Sequence, residues 1–149
     1  MKLICLTRMP VAMVAIVLAL GALHAGAEVP RARAEHEVQY RYTVLGYVRD
    51  AAGRAREGVQ VEVVRERTGL GYRGVTDAKG FYVVVVRLGD ESAEEALRLR
   101  AGSRALVFPA RFDATDHTRE RGTRVDVAGD RMTEQPAAFA ETLRQFLVR

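Results

Sequence analysis

Between Val38 and Val127 the chain is written in short runs whose apolar residues recur at every second position. Val38, Tyr40, Tyr42, Val44, Gly46 and Val48 share one parity, and Gln39, Arg41, Thr43 and Arg49 share the other. A period of two sends alternate side chains to opposite faces, so this pattern predicts a half-buried strand and not a helix. Asp50-Ala51-Ala52-Gly53 closes it with turn residues. Val59, Val61 and Val63 alternate with Gln60 and Glu62 in a second strand, and residues 70–76 form a weaker third, diluted by Gly71 and Gly74. After the turn Asp77-Ala78-Lys79-Gly80, residues 81–88 form a fourth. Its run Phe81-Tyr82-Val83-Val84-Val85-Val86 lacks polar alternation, which predicts a central strand covered on both faces. Val83 and Val85 would be buried on one side, with Val84 and Val86 at least partly covered on the other. Residues 97–100, 106–112 and 123–127 add three more strands. Pro109 within the sixth points to an edge position or a bulge, because proline cannot donate to a ladder. Seven short strands at hairpin spacing, with no helix between them, predict an all-β, seven-stranded antiparallel Greek-key β-sandwich.

Both ends of the chain depart from this pattern. Lys2 and Arg8 precede an apolar run from Val11 to Leu23, and Ala25-Gly26-Ala27 follows. A basic start, an apolar middle and an A-x-A end are the parts of a secretory signal. The apolar run is shorter than the ~20 residues a membrane-spanning helix needs. Cleavage between Ala27 and Glu28 is therefore expected, leaving a periplasmic or secreted protein; an uncleaved signal would tether the domain to a membrane. At the other end, Phe139, Leu143, Phe146 and Leu147 recur at i, i+4, i+7 and i+8, with Pro136 in front of them. That is one face of a short amphipathic helix. So short a helix needs a surface to cover, and the domain's own sandwich is the expected one. The chain thus divides into a signal peptide with its signal helix (1–27), a polar leader (28–37), the sandwich (38–128) and a C-terminal helical segment (129–149).

Residues 28–149 carry 20 Arg and one Lys against 19 acids, a net charge of +2. That balance is too mild to argue for nucleic acid as a partner. The only cysteine is Cys5, so disulfides, thiolate metal sites and cysteine nucleophiles are excluded from the exported part.

Three short segments carry a family resemblance: Gly46-x-Val48-x-Asp50-x-x-Gly53, Gly58-Val59-x-Val61 and Thr76-Asp77-x-x-Gly80-Phe81. Together they resemble the carboxypeptidase regulatory-like domain, a transthyretin-like (prealbumin-like) β-sandwich of exported bacterial proteins, over roughly residues 42–127. The resemblance implies a seven-stranded sandwich serving as a linker, binding module or accessory domain. The family usually places a proline between the first two glycines, where Ala55 and Arg56 stand here.

The candidate chemistry is thin. Asp113, Asp116, His117 and Glu120 cluster in one loop and are ligand types for a metal, but their spacing matches no closed site. Ser92 and Ser103 lie in charged or turn contexts, which argues against a Ser-His-Asp triad. Tyr40, Tyr42 and Tyr47 could line a sugar-binding face, although Tyr40 and Tyr42 share the parity of the core. Arg98, Arg100, Arg111 and Arg124 could form a basic outer stripe, but exposed strand positions paired with local acids account for them equally simply. No catalytic, cofactor-binding or metal-ligating residue is assigned, and no cofactor is expected. The expectation is therefore a non-catalytic exported binding or accessory module. An envelope protein or glycan is the possible partner, and membrane contact would come only through an uncleaved signal. A carbohydrate-binding module and a small periplasmic hydrolase using the 113–120 loop are the alternatives.

Overall fold

The computed structural model describes residues 39–148, so the signal segment and the whole polar leader lie outside the described residues. Eight strands form two four-stranded sheets. They are β1 (Tyr40–Arg49), β2 (Gln60–Arg65), β3 (Gly71–Val75), β4 (Phe81–Leu88), β5 (Ala96–Ala101), β6 (Arg104–Pro109), β7 (Arg121–Ala128) and β8 (Arg131–Glu134). One sheet runs β4-β1-β7-β8 and the other β3-β2-β5-β6. The inner faces enclose a core of Tyr42, Val44, Val48, Val61, Val63, Tyr82, Val84, Val86, Leu97, Leu99, Phe108, Val125 and Val127. These are the inward positions that period-two alternation selects. Pro109 ends β6, an edge strand, where its missing N–H costs no ladder bond.

Three expectations are corrected. Among the described residues the strands number eight, because the short β8 pairs with β7 inside the segment expected to be helical. The sandwich is not wholly antiparallel, since β1 runs parallel to β7. The inner strands of that sheet are β1 and β7, while β4 lies at its edge. Consequently Val84 and Val86 are buried, Val83 is only partly covered and Val85 is 40% exposed. The reverse holds for β1, whose second face buries Thr43 and Leu45.

The cover on that second face is α1 (Phe139–Leu147), entered through a 3-10 turn at Pro136–Ala138. Phe139 and Leu143 pack with Leu45 and Phe81, and the Phe146 ring lies 5.3 Å from that of Phe81. Thr142 joins the buried stripe, donating to the Ala138 carbonyl and accepting from Arg124. Leu147, placed on the stripe by spacing alone, is 70% exposed, past the last turn that touches the sheet. Gly122 of β7 makes this docking possible: a Cβ there would sit 2.4 Å from the Phe139 ring. Leu143→Ala should therefore cost roughly 2 kcal/mol, the low end for a buried leucine, without changing the sheet. Chemical denaturation measures the loss, and an unchanged midpoint would show that the helix adds nothing.

The β1–β7 ladder skips Gly46 and Tyr47, resuming at Val48 opposite Val127. Side chains complete the missing bonds. The Tyr82 hydroxyl donates to the Val125 carbonyl at 2.7 Å, and the Asp126 carboxylate accepts from the Tyr47 N–H at 3.0 Å. Gly46 is required at this point, because a Cβ would stand 1.9 Å from the Val125 oxygen.

Candidate functional site

The two ends of the sandwich collect the polar chemistry. At one end the chain leaves β1, enters β2, turns from β5 to β6 and leaves β7. These segments surround a cleft of ≈ 550 Å³. Its floor is apolar, formed by Val48, Val59, Ala101 and Val127, and its rim carries Arg49, Asp50, Arg56, Arg104 and Asp130. The rim is held by the motifs read in the sequence. Asp50 accepts from the N–H groups of Ala52 and Arg54 and from the Arg54 guanidinium. Thr76 donates to the Arg56 carbonyl at 2.6 Å and accepts from the Val59 N–H. Asp77 accepts from the N–H groups of Lys79 and Phe81, fixing the entry to β4.

At the opposite end, Arg121 is 6% exposed between the rings of Tyr40 and Phe112, 4.7 and 4.4 Å from their centroids. It donates to Asp90 at 2.9 Å and to the carbonyls of Asp113 and Asp116. His117 stacks on Tyr40 and meets Asp90 through Nε2 at 2.9 Å. Beside this group lies a buried ion pair. Arg65 and Glu95 are joined at 2.7 Å, and Arg65 also donates to Ser92 and to the Arg87 carbonyl.

This end does not bring the four loop candidates to one point. The Asp113 carboxylate accepts from Thr115, and that of Asp116 accepts from Thr118, each capping its own turn. His117 is turned to Asp90, and Glu120 is exposed. Among the described residues no three His, Asp or Glu side chains form a ligand group. Ser92 is buried between Arg65, Arg67 and Glu91. The tyrosines make no common platform: Tyr42 faces the core, Tyr40 carries Arg121, and Tyr47 packs outward against Phe81. The arginine stripe is divided as well. Arg98 and Arg100 pair with Glu66 and Glu62, Arg111 with Glu134, and Arg124 with Asp126.

Sequence reasoning passed over Arg65, Glu95 and Arg121. The available signal was parity: Arg65 follows Val61 and Val63 at two-residue steps, so the strand itself carries it inward.

Several carboxyls are held below their ordinary range. At Glu95 the Arg65 guanidinium is the main cause. At Asp113 and Asp116 it is the hydroxyls of Thr115 and Thr118, and at Asp50 the Arg54 N–H. At Asp90 partial burial opposes ionisation but is outweighed by the bonds from His117 and Arg121. A carboxyl depressed on folding stabilises the fold above its unfolded value, and that contribution is lost as pH falls through the folded value. Melting temperature should thus be flat from pH 7 to 5 and fall progressively below about pH 4, the ordinary carboxylate range. Thermal scans at pH 7, 5, 4 and 3 test this; a melting temperature that rises on acidification contradicts it.

No family model matches the chain, and no curated protein matches its sequence. The resemblance to the carboxypeptidase regulatory-like domain thus rests on the quoted residues alone. Solved structures similar in shape include two dioxygenases. Chlorocatechol 1,2-dioxygenase from Pseudomonas putida is 15% identical, with a TM-score of 0.44 over 62% of this chain and 61% of that one. The dioxygenase domain of a dioxygenase carbohydrate-binding protein fusion from Streptomyces sp. SirexAA-E is 18% identical, with a TM-score of 0.35 over 67% and 79%. Both neighbours are dioxygenases and neither is a carboxypeptidase regulatory-like domain, against the expectation of a non-catalytic binding module of that family. At these identities and scores the likeness transfers no reaction to this chain.

Proposed function

We propose that the chain is an exported β-sandwich domain whose end cleft receives a small ligand. The observation that carries the reading is the cleft itself, an apolar floor of ≈ 550 Å³ ringed by polar side chains at the mouth of the sandwich. Small-molecule sites share that make-up and occupy roughly 300–1,000 Å³. The basic start, apolar run and Ala25-Gly26-Ala27 end support export.

Two measurements test the two parts. Intact mass of the exported protein should begin at Glu28, and retention of Met1 overturns export with cleavage. Titration of the isotope-labelled protein with a small-fragment library, followed by amide NMR, should shift Val59, Ala101 and Val127 together. Shifts centred on His117 and Arg121, or none at all, overturn the cleft as the site.

A further inference from the structure

The rim of the cleft narrows the class of ligand. Resting on the reading of the cleft as the site, we infer that it takes an organic anion, a carboxylate with an apolar body, gripped by Arg56 and Arg104. The argument begins with charges left unpaired. Across the sheets, arginines stand beside acids: Arg73 with Glu62, Arg98 with Glu66, Arg111 with Glu134. Arg56 and Arg104 line one cleft, and neither side chain has a hydrogen bond or ion pair among the described residues. Arg41, Arg87 and Arg131 also lack an ion pair, but Arg41 and Arg87 face each other across neighbouring strands on an open sheet face, and Arg131 is exposed at the start of the edge strand β8.

The acids on the rim do not neutralise the pair. Asp50 is occupied by Ala52 and Arg54. Asp130 is the remaining carboxylate, exposed at the β7–β8 turn. Arg49 adds a third cation, with one nitrogen bonded to the Gly53 carbonyl. The free charge of the rim is therefore positive.

Both gripping arginines grow from fixed backbone. The Arg56 N–H donates to the Val48 carbonyl at 3.0 Å, and its own carbonyl accepts from Thr76. Arg104 opens β6 in register with Ala101. Little backbone order has to be created on binding, so more of the interaction appears as affinity. A guanidinium meets a carboxylate through two parallel N–H donors, about twice as strongly as neutral partners meet. The ligand's apolar body would lie on Val48, Val59, Ala101 and Val127, three of which are almost completely buried already.

The test compares two probes of one shape, 4-phenylbutanoate and 4-phenylbutanamide, titrated into the full chain and into Arg56→Gln/Arg104→Gln. The wild type should bind the acid about tenfold more tightly than the amide, with both shifting Val59, Ala101 and Val127. The double variant should keep its melting temperature and bind the two probes alike. Equal affinity of acid and amide in the wild type, with shifts in the cleft, overturns the anionic class and leaves the site standing. An acid preference that survives the double variant overturns the role of the two arginines. Absence of both probes from the cleft overturns the site, and this inference with it.

Discussion

Glu95→Ala is expected to remove about 3–5 kcal/mol of stability, among the largest losses any single side chain of this domain can produce. The Arg65 and Glu95 side chains are 6% and 5% exposed, so neither charge is solvated. Truncating Glu95 leaves the Arg65 guanidinium buried with no anion to pair with it, and only the neutral Ser92 hydroxyl, Tyr72 hydroxyl and Arg87 carbonyl nearby. The cost is that of an uncompensated buried cation, which exceeds the net worth of the intact pair. Arg67 offers the control. It also reaches Glu95, at 3.2 Å, but is 53% exposed. Arg67→Ala should cost at most about 1 kcal/mol. Replacing both members, Arg65→Met with Glu95→Leu, should recover most of the loss because no charge remains to be buried. Urea denaturation with a common slope measures all four proteins. A loss below about 1 kcal/mol in Glu95→Ala would mean that water reaches the pair.

Gly46→Ala should be comparably severe, at least about 3 kcal/mol and a fall in melting temperature of 10 °C or more. The added methyl would lie 1.9 Å from the Val125 oxygen and 2.7 Å from its carbon. Backbone has to move, and little of it is free. β1 is held by β4 on its other side, and the Tyr82 hydroxyl fixes the Val125 carbonyl. Tyr82→Phe removes that bond without a clash, so it should cost only about 1–2 kcal/mol as an unsatisfied buried carbonyl. Thermal unfolding followed by circular dichroism orders the two variants. A Gly46→Ala protein more stable than Tyr82→Phe would show that the strands can separate here.

Much of the sandwich is legible in the chain because alternation is local. Tyr42, Val44 and Val48, or Val61 and Val63, declare their face without knowledge of any neighbour. What alternation cannot declare is the neighbour. Val83 and Val85 look like core residues, yet β4 sits at an edge and the helix reaches only its Phe81 end. Thr43 and Leu45 look like the wet face of β1 and are buried, because residues almost a hundred positions later fold over them. The four residues of β8 are too few to show a period. The turn residues Asp50, Thr76 and Asp77 act as local chemistry predicts, since each bonds within its own connections. Arg56 and Arg104 gave no comparable signal, because the cleft joins turns that meet only in the folded domain.

The parallel pairing of β1 with β7 also dictates an order of assembly. Tyr47 and Asp126, bonded to each other, stand 79 residues apart in the chain. β1 can take its antiparallel partner β4 early, across a loop half that long, but its other edge has nothing to bind until β7 has been made. Closure of long loops is the slow part of such folding. A nascent chain ending before Arg121 therefore holds its central strand half paired, with Val44 and Leu45 uncovered on that side. The last fifth of the sequence works as the seal of a structure begun by its first strand, and a product cut short there would be a candidate for aggregation and proteolysis.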